Sequence, residues 1–344
     1  MLTTARGLSI LALAALTTAC GGGDGRQVLT VYSPHGREML QAFEKRFEAA
    51  NPTIDLQYVD MGSQEVFDRV RSEKANPQAD VWWGAPANMF EQAAADSMLQ
   101  PFTPSWATAV PAEAKDPEGY WFGTYITPEV IAYNTQVVPA AEAPKDWDDV
   151  LDPRWKGKVL IRDPMASGTM RTIFGMVVQR GLRATGDTAQ GFQWLRRLDA
   201  NTKQYVLNPT MLYQMLARQE GHVTLWALPD IEMVRAQYPI EYTIPTSGTP
   251  LIVDAVAIVR GAPNAEAARV FVEYIGGNAA LGPAVREFFR LPARTDFPQD
   301  SMPPRLRAAQ EKLVAEPMDW KLLQERGNEW MRHWDENVRN RGGK

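Results

Sequence analysis

The sequence contains only one cysteine and three histidines among its 344 residues. A lone cysteine, Cys20, excludes any disulfide bond within the chain. His35, His222 and His333 lie far apart in the sequence, so their spacing does not indicate a metal site. The motifs of nucleophile-elbow hydrolases, zinc proteases and P-loop NTPases are also missing. We therefore expect a protein that is not an enzyme and has no cofactor and no bound metal.

A strong excess of one charge and long apolar runs are missing as well. The chain has 36 basic and 41 acidic side chains, which argues against nucleic acid as a partner. The apolar run Leu8 to Leu16 is too short to span a bilayer, which takes about 20 residues. Hydrophobic residues make up 45% and charged residues 22%, as in ordinary globular proteins. The length allows two domains, each with its own core, and we expect a monomer.

The N-terminus has the pattern of an export signal. Arg6 precedes the apolar run, and the small residues Thr17 to Ala19 precede Cys20. We predict a signal peptide over residues 1–20 and a flexible, glycine-rich tether over residues 21–26. The cysteine in this setting resembles a bacterial lipobox, although Thr17 stands where lipoboxes carry Leu, Val or Ile. Cys20 is thus a predicted lipidation site, and the alternative is a secreted protein with an incidental cysteine.

Strands and helices alternate after the tether. Val28 to Tyr32, Ile54 to Val59 and Ala79 to Trp83 are β-rich runs, and a helical period follows each of them. This order predicts a parallel sheet with right-handed crossovers. Ligands of such sheets lie beyond the carboxyl ends of the strands. The corresponding loops are Ser33–Gly36, Gly62–Ser63 and Trp83–Pro86.

The second half of the chain follows the same order. Val159 to Ile161 predicts a buried strand, Asp163-Pro164 breaks it, and Ser167-Gly168-Thr169 begins a helix. The free N–H groups of a first helical turn and the neighbouring hydroxyls can bind an anion. The alternative is that Ser167 or Thr169 only caps the helix. Further loops at strand ends are Asn208–Thr210 and Trp226–Asp230.

Two further segments, near Gly123–Asn134 and Thr243–Val259, are predicted to be extended, and Pro128 in the first suits a strand that leaves one sheet for another. Asp254 lies within the apolar part of the second segment. A buried carboxylate is unfavourable unless it is paired or hydrogen-bonded, so Asp254 caps a helix, pairs with a base or faces a ligand. Beyond them, Arg305 to Val338 is predicted to be helical, with its tryptophans used in packing.

Several stretches resemble the extracellular solute-binding proteins of ABC importers, in the branch of ferric-ion, phosphonate and sugar-phosphate binders. They are Leu29–Ser33, Ala79–Gly84, Trp147–Lys158 and Asp163–Thr169. The resemblance implies an α/β, two-lobed periplasmic-binding-protein fold (type II) with two doubly wound sheets joined by two hinge strands. It also implies a solute trapped between closing lobes and ABC permease subunits in the inner membrane as partners. The location would be periplasmic or at the cell surface, anchored through Cys20.

The expected domain division follows from this resemblance. Lobe 1 comprises residues 27–126 and 250–290, and lobe 2 comprises residues 127–249. Residues 291–344 form a C-terminal helical segment that packs on the lobes.

A small anionic solute, such as a phosphonate, an organophosphate or a carboxylate, is the expected ligand. Trp83 or Trp82 and Trp226 are candidate walls of the cleft, and His35 is either a donor to the ligand or a loop residue in solvent. A ferric ion or chelate is the alternative, although Leu225–Asp230 lacks the tyrosine pair of the ferric binders. A lipid-anchored sensor or scaffold is a second alternative. The predicted ligand-binding residues are Ser33, His35, Ser63, Trp83, Gly84, Thr127, Ser167, Gly168, Thr169, Trp226 and Asp254.

Overall fold

The computed structural model describes residues 25–342. The predicted signal peptide, Cys20 and most of the predicted tether lie outside the described residues. Within residues 25–342, no helix combines the length and the hydropathy needed to cross a membrane.

Eleven strands and eleven α-helices alternate along the described chain. The strands are β1 (Gln27–Ser33), β2 (Ile54–Asp60), β3 (Val81–Pro86), β4 (Leu99–Gln100), β5 (Phe122–Asn134), β6 (Val159–Arg162), β7 (Thr202–Val206), β8 (Val223–Ala227), β9 (Ile240–Thr243), β10 (Leu251–Val259) and β11 (Leu291–Pro292). The helices are α1 (Arg37–Ala50), α2 (Ser63–Ser72), α3 (Ala87–Ala95), α4 (Gly168–Thr185), α5 (Ala189–Asn201), α6 (Pro209–Ala217), α7 (Leu228–Val234), α8 (Ala265–Ile275), α9 (Asn278–Phe288), α10 (Pro304–Gln310) and α11 (Trp320–Asn337).

The first sheet has the strand order β2-β1-β3-β10-β5, and we call the part of the chain built on it the first lobe. β1 pairs in parallel with β2 and β3, as the alternation of strands and helices predicted. β10, for which the sequence predicted no direction, pairs antiparallel with β3 and β5, so the sheet as a whole is mixed. The reason is that β10 enters this sheet from the other lobe and therefore runs in the opposite direction.

The second sheet has the order β5-β8-β6-β7, and the part of the chain built on it is the second lobe. β6 lies between β7 and β8 and is parallel to both. β5 pairs antiparallel with β8 and with the short β9. β6 and the helix that follows it keep the order of strand, turn and helix predicted from Val159 to Thr169.

One strand, β5, belongs to both sheets. Its residues up to Pro128 pair with β10, and its residues from Glu129 pair with β8 and β9. The chain crosses a second time between β9 and β10, over residues 244–250. The predicted architecture of two α/β sheets joined by two crossing segments is therefore confirmed, whereas the predicted residue bounds of the lobes stay predictions.

Adjacent tryptophans in β3 pack on opposite sides of the first sheet. Trp82 stacks on Phe90 at a centroid distance of 4.1 Å, and Trp83 packs edge-on against Phe43 at 5.4 Å. Because side chains alternate between the faces of a strand, Trp82 and Trp83 belong to two separate hydrophobic cores, one on each side of the sheet. Both rings are almost fully buried.

The C-terminal part is not one continuous helix, contrary to the expectation for Arg305 to Val338. Residues 311–319 interrupt it. Pro317 cannot continue a helix. The buried carboxylate of Glu316 also holds this segment in place, because it forms ion pairs with Arg180 and Arg183 of α4. The backbone of Glu316 also donates to the carbonyl of Thr249, at the second crossing. The helix α11 then contacts both α3 of the first lobe and α4 of the second lobe.

Glycines let α4 and α5 approach closely. A Cβ atom on Gly191 of α5 would lie 2.5 Å from the Cα of Val178 and 2.8 Å from the carbonyl oxygen of Val177, both in the backbone of α4. We expect Gly191→Ala to lower the free energy of unfolding by about 1–3 kcal/mol, the usual effect of overpacking a tight contact. Urea unfolding of the ligand-free protein measures this change.

The matched control is Gly327→Ala in α11, where the added Cβ would lie 3.4 Å from its nearest neighbour, the Cδ1 of Leu323. Because alanine favours a helix over glycine by about 1 kcal/mol, this variant should be as stable as the wild type or slightly more stable. Equal stability of Gly191→Ala and the wild type would contradict the close packing of α4 and α5.

Candidate functional site

Two helix N-termini from opposite lobes meet in the cleft. A Cβ atom on Gly168, the first residue of α4, would lie 3.1 Å from the Cβ of Ser63, the first residue of α2, and 2.7 Å from the Cδ of Pro86. A Cβ on Gly62 would lie 2.6 Å from the carbonyl oxygen of Ala166. The lobes therefore touch here, and the first-turn N–H groups of two helices point into one region. Two positive helix ends in one place favour an anion between them.

The hydroxyls predicted for this region lie beside these helix ends. The Oγ of Ser167 accepts a hydrogen bond from the N–H of Met170 at 3.2 Å, so this serine caps α4. Thr169 is half-buried in the first turn, and Ser63 is buried. Ser33 is fully buried at the end of β1, where its Oγ accepts from the N–H of His35 at 3.3 Å. Their role as ligand contacts stays a prediction.

Arg162, which the sequence reasoning did not select, reaches the same place from the end of β6. Its side chain is buried, and one terminal nitrogen donates to the carbonyl oxygen of Val206 at 3.3 Å. Its Nη2 lies 3.6 Å from where a Cβ on Gly62 would be, so the guanidinium faces the first lobe. Its Nε is buried and has no hydrogen-bond partner among the described residues. A buried guanidinium at two helix N-termini completes the surroundings of an anion. We call Arg162 and these helix ends the anion subsite.

Asp254 lies at the border of the two lobes, where its carboxylate is bound by the protein itself. The Oγ1 of Thr127 in β5 donates to Asp254 at 2.5 Å, and the N–H of Ala85 donates to it as well. Burial raises the pKa of Asp254 to about 6, while Arg290 and these two hydrogen bonds act in the opposite direction. Asp254 is thus hydrogen-bonded to a hydroxyl and a backbone N–H, while the nearby Arg290 forms its ion pair with Asp230. The role of Asp254 as a ligand contact stays a prediction.

The N–H of Ala85 reaches Asp254 because the end of β3 has an unusual backbone. Gly84 has a φ of 92° and Ala85 a φ of 97°. This conformation is strained for Ala85, because its Cβ disfavours a positive φ. Gly84 is also required by close packing, because a Cβ there would lie 2.7 Å from the Nε2 of His35. Strained backbone of this kind is typical of ligand sites.

Arg290, which is buried, forms an ion pair with Asp230, whose side chain is partly exposed. Arg290 is 4% exposed and donates to Asp230 at 2.8 Å. The Nε1 of Trp226 donates to the same carboxylate at 2.9 Å, and the hydroxyl of Tyr213 donates at 3.3 Å. Trp226, a predicted cleft wall, thus holds Asp230 with its polar edge.

Five side chains in this region have buried polar atoms without a hydrogen-bond partner among the described residues. The atoms are the Nε2 of His35, the Nε1 of Trp83, the hydroxyl of Tyr125, both carboxylate oxygens of Glu129 and the Nε of Arg290. The ring of His35 lies 4.6 Å from Trp83 and 5.7 Å from Tyr125, so it is not a loop residue in solvent. Burial and Arg290 lower the pKa of His35, which keeps its ring neutral. Burial raises the pKa of Glu129 well above its usual range, and Asp254 and Asp230 add to this effect.

We call the polar side chains at the border of the two lobes the polar cluster. Within it, Asp230 and Arg290 both affect the pKa values of Glu129 and Asp254. Of the predicted residues, His35, Thr127, Trp226 and Asp254 belong to this cluster, and Trp83 and Gly84 lie against His35. Ser63, Ser167, Gly168 and Thr169 lie at the anion subsite, whereas Ser33 is hydrogen-bonded to His35. The residues of the polar cluster are His35, Tyr125, Thr127, Glu129, Tyr213, Trp226, Asp230, Asp254 and Arg290.

Within residues 25–342, no group of three or more His, Cys, Asp or Glu side chains is placed to hold a metal ion. Burial raises the pKa of both Tyr125 and Tyr213, which disfavours the phenolate form in which tyrosine binds a ferric ion.

A two-lobed α/β fold with a polar cleft between its lobes defines a protein that encloses a small solute. Residues 76–320 match the family model described as bacterial extracellular solute-binding protein. This match covers more than half of the chain, so the protein belongs to that family of ABC-importer binding proteins.

Relatives of this chain are found in several bacteria. A protein of Sinorhizobium fredii, whose name assigns it to the periplasmic-binding proteins of ABC transporters, is 29% identical over 336 residues, covering 95% of this chain and 91% of the relative. A periplasmic protein of Salmonella typhimurium, whose name gives 2-aminoethylphosphonate as its ligand, is 26% identical, with 91% and 92% covered. Iron uptake protein A1 of Synechocystis is 25% identical, with 79% and 78% covered.

Solved structures share the fold. The periplasmic binding protein AfuA of Actinobacillus pleuropneumoniae, solved with fructose-6-phosphate bound, has a TM-score of 0.80 at 24% identity, covering 92% of this chain and 99% of that one. Apo ferric ion-binding protein A of Pasteurella haemolytica has a TM-score of 0.72 at 17% identity, with 90% and 97% covered.

The raised pKa of Asp254 predicts a pH-dependent stability. Because the folded protein binds this proton more tightly than the unfolded chain does, Asp254 makes the folded protein less stable as the pH rises from about 4 to about 6. Relative to Asp254→Asn, the ligand-free wild type should therefore lose up to about 3 kcal/mol over this range. Urea unfolding of both proteins between pH 4.5 and 7.5 measures the difference.

Asp296→Asn serves as the control, because Arg294 lowers the pKa of this exposed carboxylate. Its difference from the wild type should be constant between pH 4.5 and 7.5, since Asp296 stays ionised in that range. A constant difference for Asp254→Asn as well would contradict the raised pKa.

Proposed function

We propose that this protein captures a small solute with an anionic group, such as a phosphonate, a phosphate ester or a carboxylate, in the cleft between its lobes. The observation that carries this proposal is the meeting of two helix N-termini from opposite lobes beside the buried Arg162. The anion would accept hydrogen bonds from the N–H groups at the start of α2 and α4, from Ser63 and from Arg162. The rest of the solute would occupy the polar cluster.

Binding would proceed by hinge closure. The anion subsite takes groups from both lobes, so a solute bound there stabilises the closed arrangement over an open one. The crossing segments, β5 and residues 244–250, are the places where the backbone would bend. The closed form would then deliver the solute to the permease subunits of an ABC importer.

The names of the relatives support the anionic class without selecting one ligand. 2-Aminoethylphosphonate and fructose-6-phosphate both carry a phosphorus oxyanion, and these names belong to proteins similar to this chain. Iron also occurs among the relatives' names. The ferric alternative has less support, because Asp230 and Asp254 already have partners within the protein and the buried tyrosines favour the protonated form.

The N-terminal pattern supports export and anchoring. We propose that the signal peptide is cleaved immediately before Cys20 and that Cys20 carries a lipid, which would hold the protein at the outer face of the cytoplasmic membrane. A lipid-anchored sensor or scaffold would use the same anchor, and the ligand tests below separate the two functions, because a scaffold needs no solute.

Arg162→Gln should weaken binding of ethylphosphonate by about 10- to 100-fold, because it removes a charge-assisted hydrogen bond to a buried anion. Isothermal titration calorimetry with ethylphosphonate, inorganic phosphate, fructose-6-phosphate and citrate measures the affinities. A thermal-shift screen of the same compounds with putrescine and ferric citrate identifies the class, since a ligand of the native state raises the melting temperature.

Arg69→Gln is the control, since Arg69 lies on the outer side of α2 and pairs with Glu73 at 2.8 Å. This variant should bind ethylphosphonate like the wild type. If Arg162→Gln also keeps the wild-type affinity, the anion does not bind at this subsite. A screen in which no compound raises the melting temperature would overturn the proposal in favour of a scaffold.

A further inference from the structure

Glu129 is a fully buried carboxyl group without a hydrogen-bond donor. Its side chain is 0% exposed, and neither of its oxygens has a partner among the described residues. The residue belongs to β5 at the point where the strand passes from one sheet to the other. Its side chain shares a face with Tyr125 and Thr127, which occupy alternate positions of the same strand.

The other buried carboxylates of the described chain are all satisfied. Asp80, for example, accepts hydrogen bonds from the N–H groups of Thr30 and Asn264 at 2.8 and 2.6 Å. Glu232 accepts from the hydroxyl of Tyr242 and from Arg305, both at 2.6 Å. The remaining four, with donors of their own, are Asp163, Asp199, Asp254 and Glu316.

The surroundings of Glu129 contain more carboxylates than cations. Asp254 and Asp230 both disfavour its ionised form, and Arg290, the nearby cation, is paired with Asp230. The hydroxyl of Tyr125 and the Nε of Arg290, also in the polar cluster, are buried without a partner, but neither donates to Glu129. A buried carboxyl group left unpaired lowers the stability of the closed form, so a solute group that donates hydrogen bonds to Glu129 and carries positive charge would stabilise this form.

We infer that Glu129 is the receptor for a protonated amine of the solute, with Tyr125 and Asp254 as its neighbours. An ammonium group has three N–H donors for the oxygens of Glu129 and a positive charge that offsets the excess of carboxylates over cations in this part of the cleft. Without the amine, burial keeps Glu129 protonated, and the amine would bring it to the ionised form.

This inference rests on the proposed function and makes it more specific, because the anion subsite would bind one end of the solute and Glu129 the other. The ligand class is then a small zwitterion, with an oxyanion and an amine on a short linker. Selectivity would come from the burial of Glu129, since a solute without an amine leaves this group unpaired.

The test compares two ligands that differ only in the amine, 2-aminoethylphosphonate and ethylphosphonate, by isothermal titration calorimetry. The wild type should bind the aminated compound at least about tenfold more tightly, because only this compound satisfies the buried carboxyl group. Glu129→Gln should reduce this ratio to near one, mainly by weakening binding of 2-aminoethylphosphonate. Glu118→Gln, the same change at an exposed position, should keep the wild-type ratio.

The outcomes separate this inference from the proposed function. Equal wild-type affinities for the two phosphonates would overturn the role of Glu129 and leave the anion subsite intact. A ratio that persists in Glu129→Gln would place the amine elsewhere and also overturn the inference. Binding of ethanolamine or putrescine that depends on Glu129, without binding of any phosphonate, would retain Glu129 as the amine receptor and overturn the anionic ligand.

Failure of every phosphonate, phosphate, carboxylate and amine to bind would overturn both proposals. If Glu129→Gln does not fold, as judged by circular dichroism, the comparison of the two phosphonates on the wild type still decides whether an amine is recognised. Glu129→Ala then provides the second variant for the ratio.

Discussion

Polar groups at the contact between the lobes lose water when the lobes meet, and each of them needs a new partner. Thr127, Trp226 and Arg290 find theirs within the protein, in the carboxylates of Asp254 and Asp230. The Nε atoms of Arg162 and Arg290 and the carboxylate oxygens of Glu129 do not. The closed arrangement is therefore incomplete as a set of hydrogen bonds, and a solute that supplies the missing partners makes closure favourable. Recognition and closure are in this sense one event.

The shared strand β5 explains why this contact carries so many polar groups. A strand that is central in two sheets is buried along its length, yet its middle lies where the sheets separate. Side chains there are shielded from bulk water without being enclosed by apolar neighbours. Tyr125, Thr127 and Glu129 occupy this position on one face of the strand, and Asp254 of β10 faces Thr127. The second crossing places β10 beside β5, so the connectivity itself assembles this part of the polar cluster.

Much of this architecture could be predicted from local patterns, because alternating strands and helices put their loops at one edge of a sheet. The first turns of α2 and α4 were found in this way. The antiparallel direction of β10 and the break at Pro317 depend on contacts between distant parts of the chain, which periodicity does not report. Arg162 and Arg290 were missed for the same reason, since their positions near the cleft follow from tertiary structure. Glu129 carried a usable signal, a carboxylate within an apolar strand, as Asp254 did.

The helix α11 contacts α3 of one lobe and α4 of the other, with Leu323 packed against Gly175 of α4. Opening the cleft must therefore break or shift contacts made far from the solute. The measured affinity of a solute is its affinity for the closed form scaled by the fraction of molecules already closed. Changes in α11 would multiply the affinities of all solutes by a common factor and leave their ranking unchanged. The helix α11 would then affect the solute concentration at which the protein binds, without affecting which solute it prefers.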